Sequence, residues 1–150
     1  MSGEERGLLG SDWFVNNPPV PLGQIVAAIN LDMIGRNGRD SVLVGDLDQS
    51  TLGTWALAAA AAHPEEGMRL VLGPAGGSDQ VMFMDRGVPS LMFFNGLHAD
   101  YHRPSDTVDR IDAEKAARIV RIAFYTGLAA ADAAGRPAWL APAPRAARLP

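Results

Sequence analysis

An apolar run at residues 89–94 (PSLMFF) leads almost directly into residues 96–111 (GLHADYHRPSDTVDRI), where two histidines, a tyrosine and three carboxylates share one short stretch. The run reads as a buried strand, and a long amphipathic helix follows from Asp112, so the polar stretch is a loop at a strand's carboxyl end. Open α/β sheets keep their chemistry at that end. The loop is therefore the candidate site, and its neighbours narrow the fold to a sheet with helices. His98 and His102 are four apart, which on a helix would turn both imidazoles toward one metal. Gly96 and Pro104 argue against a regular helix there. The simpler expectation is a solvated His98 and a His102 buried against the site.

The rest of the chain alternates in a way that supports this placement. Leu8, Leu9, Trp13 and Phe14 suit a short helix stopped by 16–19 (NNPP). Adjacent acids Glu4 and Glu5 precede it and, taken alone, are ordinary helix-start acids. Residues 24–35 (QIVAAINLDMIG) read as a strand buried on both faces of a sheet. Asp32, near its carboxyl end, must be paired, hydrogen-bonded or bound to metal if buried, since an isolated buried charge is costly. A second strand at 41–45 follows the turn at 36–39. Leu52, Trp55, Ala56, Ala59 and Ala62 share a helical face that Pro64 ends, leaving His63 at the helix end. Another strand is expected at 68–72.

Residues 73–80 form a Gly-rich loop in which Ser78 is expected to cap a helix running to about Arg86. No P-loop lysine follows, so phosphate binding is a weak reading. Asp79 is either a first-turn acid or a carboxylate standing behind the site. Asp112 caps the last helix, whose expected buried stripe is Ile119, Val120, Ala123, Phe124, Gly127 and Leu128, with Glu114, Arg118 and Arg121 on the wet side. Gly135 and Pro137 close it. An Ala/Pro-rich tail at 138–150 has too little periodicity to be counted as folded, which leaves one domain at 1–137. Alternation of this kind implies an α/β fold with a sheet, parallel at least in part, and helices on both faces.

Composition removes several classes of function. The 150 residues suffice for one domain with a core, and a formal charge of −4 without a basic cluster gives no nucleic-acid surface. No apolar run reaches the roughly 20 residues of a membrane span. With no cysteine, any metal must be held by His, Asp and Glu. The amino terminus lacks the basic region and apolar core of a signal peptide.

Four motifs then match a known family in order. Residues 3–11 (GEERGLLGS), 30–35 (NLDMIG), 77–80 (GSDQ) with 87–91 (GVPSL), and 100–107 (DYHRPSDT) resemble the later motifs of the M28 zinc aminopeptidases, over roughly residues 3–135. The resemblance implies a three-layer αβα domain of the phosphorylase/hydrolase-like, zinc-exopeptidase type with a mixed, largely parallel sheet. It also implies hydrolysis of amino-terminal peptide bonds of a peptide substrate. Glu4 would be the general base for the hydrolytic water. Glu5 and His102 would ligate one zinc, Asp32 the other, and Tyr101 would hydrogen-bond the oxyanion of the tetrahedral intermediate. Asp79 would support the site from behind the ligands, and Gln80 replaces a histidine that many members carry. Paired zincs about 3.5–4 Å apart polarise the carbonyl and lower the pKa of a shared water. Such enzymes lean toward secreted or periplasmic locations.

The family also places a zinc-binding histidine and a bridging aspartate upstream of the Glu-Glu motif, and this sequence contains neither. The expectation is therefore an amino-terminally truncated domain holding one zinc or none rather than two, with activity of the chain alone left open. Two protein ligands fall short of the three usual in catalytic zinc sites. Strands absent with that segment would leave an apolar sheet edge open for pairing with another copy. A non-catalytic α/β module that keeps the fold to bind a peptide or partner is the alternative, and carboxypeptidase or glutaminyl-cyclase chemistry on the same fold is a third reading.

Overall fold

The computed structural model describes residues 1–74 and 77–140. Eight principal elements follow one another: α1 (Leu9–Asn16), β1 (Ala28–Asp32), β2 (Ser41–Gly45), α2 (Thr51–Ala62), β3 (Arg69–Leu72), α3 (Gln80–Met84), β4 (Ser90–Phe94) and α4 (Ala113–Asp132). Short 3₁₀ turns occupy Glu4–Arg6, Leu22–Gln24, Pro64–Glu66 and Val108–Arg110. The strands form one sheet in the order β1-β4-β2-β3. β1 pairs with β4 and β2 with β3 in parallel, while β2 and β4 run antiparallel. The sheet is thus mixed and mostly parallel, as the alternation predicts.

Alternate residues along the strands sort to two cores. Leu91 and Phe93 of β4, with Val42 and Val44 of β2, join Leu52 and Ala56 of α2 and Ile119, Ile122 and Ala123 of α4. On the opposite face, Val15 of α1, Phe83 of α3 and Val88 gather Phe14, Ile25 and Ala28. Helices therefore cover both faces, with the period of two in the strands dividing the layers. Burying β4 almost completely makes it the spine of the sheet.

Three expectations are corrected here. The apolar stretch 24–35 contains only a five-residue strand, and β1 lies at the sheet edge rather than between two neighbours, so its residues are half-buried and Leu31 is 40 % exposed. A Leu22–Gln24 turn and an extended Ile25 occupy the expected start of that strand. On α4 the buried stripe is Lys115, Ile119, Ile122, Ala123, Thr126 and Ala130, whereas Val120, Phe124 and Leu128 face out. α4 packs mainly on the small-residue face of α2, which selects the side of the helix carrying Ile122 and Thr126. Arg118 is not on the wet side either; its guanidinium donates to the carbonyl oxygens of Glu66 and Arg39. Finally, Ser78 does not cap α3. Asp79 takes the position before the helix, and the Ser78 hydroxyl accepts from Asn30 Nδ2 at 2.9 Å.

Other local signals read as expected. Asp112 accepts the Lys115 N–H at 3.0 Å and caps α4. His63 ends α2 and stacks on Tyr125, with ring centroids 3.5 Å apart. The expected boundary at 137 is too early, since Ala138 and Leu140 pair by main-chain hydrogen bonds with Thr51 and Gln49; the remainder of the 138–150 tail, and part of the Gly-rich loop, lie outside the described residues.

Candidate active site

Parallel pairing sets the geometry first. Asp32, the last residue of β1, is the register partner of Phe94, the last residue of β4. The loops that follow both strands therefore leave the same end of the sheet, one carrying Met33 to Asp40 and the other Asn95 to Asp112.

The amino-terminal acids reach that end through a tight reversal. Glycines in the left-handed region, Gly3 at φ 70° and Gly7 at φ 97°, bracket the Glu4–Arg6 turn. Main-chain bonds from Leu8 to Glu4 and from Leu9 to Gly3 fold the segment back on α1. As a result Glu5 Oε1 lies 2.6 Å from His102 Nε2, across a separation of 97 residues. The Tyr101 ring stacks on His102 at 3.8 Å. His102 itself adopts φ 55°, a conformation that L-residues take only when their surroundings enforce it.

Mutual electrostatics tie the remaining candidates to this pair. Burial, followed by the charges of Glu5 and Asp32, raises the Glu4 carboxyl above its ordinary value of 4.5, with a hydrogen bond to Ser78 opposing the shift. Burial and then Glu5, Asp32 and Glu4 raise Tyr101 above 10.0, so its hydroxyl keeps its proton as a donor. Behind them the buried Asp79 accepts from the Ser11 hydroxyl and from the Met1 ammonium. Asn30 Nδ2 donates to Ser78 and to Gln80 Oε1, joining two of the sequence motifs side by side.

The two histidines exchange the environments expected of them. The His98 side chain is only 6 % exposed, with Nε2 3.7 Å from Asp106 Oδ2, whereas His102 is 52 % exposed. The chain turns at 100–103 and 103–106, swinging His98 under the loop and presenting His102 outward. A helical His98/His102 pair is excluded by the same turns.

Sequence reasoning missed Arg36. Its guanidinium donates to Asp100 Oδ2 at 2.6 Å and to Asp106 Oδ1, linking the two strand-end loops. The Arg36 hydrogen bond, then one from Ser105, with Arg110 adding to them, hold the Asp100 carboxyl down to about 2. An arginine just past the end of β1, in a chain whose other loop carries Asp100, Asp106 and Asp109, was the available signal.

Imidazole and carboxylate donors suit zinc, and here Glu5 and His102 meet directly in a 2.6 Å hydrogen bond. Among the described residues, however, no group of three or more such side chains gathers around one point. The fit is that of part of a coordination shell, with Asp32 standing separately.

Comparison with known proteins identifies the family of the chain. The model of peptidase family M28 matches residues 1–127, and the chain belongs to that family. It is 31 % identical over 134 residues to aminopeptidase YwaD of Bacillus subtilis, covering 81 % of this chain and 30 % of that protein. A solved zinc aminopeptidase from Bacillus subtilis superposes with a TM-score of 0.65 at 26 % identity, over 81 % of this chain and 33 % of the other. Glutaminyl cyclase of Porphyromonas gingivalis, 21 % identical with a TM-score of 0.58 over 85 % of this chain and 47 % of that one, shares the fold. The chain thus spans about a third of the length of the aminopeptidases it matches.

Proposed function

We propose that this chain contributes Glu4, Glu5, Asp32, Tyr101 and His102 to the zinc centre of an aminopeptidase that removes residues from the free amino end of peptides. The observation that carries the reading is the 2.6 Å approach of Glu5 to His102 across 97 positions of sequence. Glu5 and His102 would hold one zinc and Asp32 would belong to a second. Bound zinc polarises the scissile carbonyl and makes hydroxide available near neutral pH.

The chain's own residues divide the remaining work. Glu4, whose raised pKa makes it a stronger base than an ordinary carboxylate, takes a proton from the attacking water and returns it to the departing amine. Tyr101 donates a hydrogen bond to the oxyanion, a charge present only in the transition state. Asp79 holds Ser11 and the amino-terminal segment, and so backs the Glu4–Glu5 turn.

Elemental analysis after dialysis against trace zinc tests the reading. One zinc per chain, lost in His102→Ala, supports it; no zinc in the soluble chain refutes it. A second reading, a non-catalytic module that binds a peptide or partner, is favoured by the lack of a three-donor group among the described residues. That module would bind free-amine and blocked peptides with no turnover of either and would be indifferent to Glu4→Ala.

A further inference from the structure

We propose that Arg36 is a positioning residue that fixes the loop bearing Tyr101 and His102 against the loop that follows Asp32. The proposal rests on the zinc-centre reading for its consequence, and on geometry for its substance. Arg36 lies four residues beyond Asp32 and its side chain is 14 % exposed. One arm of the guanidinium meets Asp100 and the other meets Asp106, so a single planar fork grips both ends of the turn that contains Tyr101 and His102.

Main-chain contacts hold the arginine in place as firmly as it holds the turn. The Arg36 carbonyl accepts from the buried Lys115 Nζ at 2.8 Å, and the neighbouring Gly35 carbonyl accepts from Asp112 N–H at 2.8 Å, anchoring this segment to the start of α4. A Cβ at position 35 would stand 2.7 Å from Ile111 Cγ2, so a larger residue there would force the Ile111 side chain to shift. Reciprocal amides add a second tie, with Asn37 Nδ2 donating to the Asn95 carbonyl and Asn95 Nδ2 to the Ile34 carbonyl, each at 2.7 Å. Between these fixed ends, His102 is kept at φ 55° with Tyr101 stacked on its ring. A lysine could neutralise one carboxylate but could not span both with fixed geometry.

The experiment compares the parent chain with Arg36→Ala, Arg36→Lys and Arg39→Ala, the last removing an exposed arginine of the same loop that pairs with Asp112 and Glu114. Amide exchange is followed in metal-free protein at Tyr101, Arg103 and Asp106, whose N–H groups close the turns of the site loop. Zinc affinity is measured by competition with a chromophoric chelator, and the visible spectrum of the cobalt(II) form reports the ligand geometry. Arg36→Ala should speed exchange at the three amides about tenfold or more, leave β4 and α4 unchanged, weaken zinc binding about 10- to 100-fold and alter the cobalt spectrum. Arg36→Lys should recover part of both effects, and Arg39→Ala should match the parent.

Parent-like exchange in Arg36→Ala, unchanged zinc affinity where the parent binds zinc, or equal effects from Arg39→Ala would each overturn the proposal. A parent that binds no zinc would refute the zinc-centre reading alone, and the exchange comparison would then decide the clasp. Should Arg36→Ala fail to fold, Asp106→Ala removes the acceptor of one arm of the fork at a partly exposed position and is read in the same way.

Discussion

Asp32 stands opposite Phe94 in the parallel β1–β4 pair, so the two loops bearing the candidate ligands begin level with each other at one end of the sheet. The third contributor, the Glu4–Arg6 turn, comes from before the sheet and is brought to the same end by α1. Three segments distant in sequence thus meet because parallel pairing sets the height and the glycine-bracketed turn sets the approach.

On the proposed function Glu4 and Glu5, neighbours in sequence, have separate work, and substitution should separate them. Glu5 faces His102, whereas Glu4 is paired with Ser78 and responds to its acidic neighbours. Glu4→Gln is expected to leave zinc content unchanged while lowering turnover of an aminoacyl nitroanilide by roughly 10²–10⁴-fold. Glu5→Gln should lower zinc content itself. Paired metal analysis and steady-state rates check both, and equal loss of zinc in the two variants would contradict the division.

Gly53 on α2 is a packing requirement rather than a flexible point. A Cβ there would lie 1.7 Å from the Leu47 carbonyl oxygen, which is backbone and cannot swing aside. Gly53→Ala should therefore destabilise the fold by about 1–3 kcal/mol despite its better helix propensity. In a chain of this size each kcal/mol corresponds to roughly 2–4 °C in melting temperature, so a thermal melt is a direct check.

Element types were legible in the sequence wherever the signal was local. The 41–45 strand, the Asp112 cap and the Pro64 stop each depend on a few adjacent residues, and the structure has them at those places. Signals fail where the answer depends on distant partners. The apolar stretch ending at Asp32 cannot itself say whether one strand or two will flank it, and only the sheet order makes β1 an edge. Likewise Arg36 reads as a solvated turn residue until the chain brings in Asp100 and Asp106, 64 and 70 positions away. Candidate site residues were named by motif, whereas the tie between the loops that carry them was hidden in that long-range charge pairing.

The α4 correction can be measured. Periodicity alone allowed a stripe through Val120, Phe124 and Leu128, yet Phe124 is 62 % exposed and Ile119 is fully buried in the α2–α4 core. Ile119→Ala should cost about 2–5 kcal/mol. Phe124→Ser should change stability by no more than about 0.5 kcal/mol. Denaturant titration of the two variants distinguishes the observed helix orientation from the one read by periodicity, which would give comparable losses.

Glu66 gives a pH dependence whose sign can be worked out. Both arms of the Arg121 guanidinium reach its carboxylate, at 2.5 and 2.7 Å. That hydrogen bond is the largest influence and holds Glu66 below its ordinary value of 4.5, with Arg121's charge and His63 acting the same way and burial and Glu65 opposing. The folded state therefore binds fewer protons than the unfolded state as pH falls below that value, and stability rises with pH across the window. The contribution is fully present above the ordinary carboxylate value of 4.5 and is lost as pH falls through the lower folded-state value, where the carboxylate protonates. Glu66→Gln should melt below the parent at neutral pH, and the two curves should converge on acidification. A difference in melting temperature that stays constant from pH 7 to about pH 3 would show that the pair acts through shape and packing and not through the Glu66 charge.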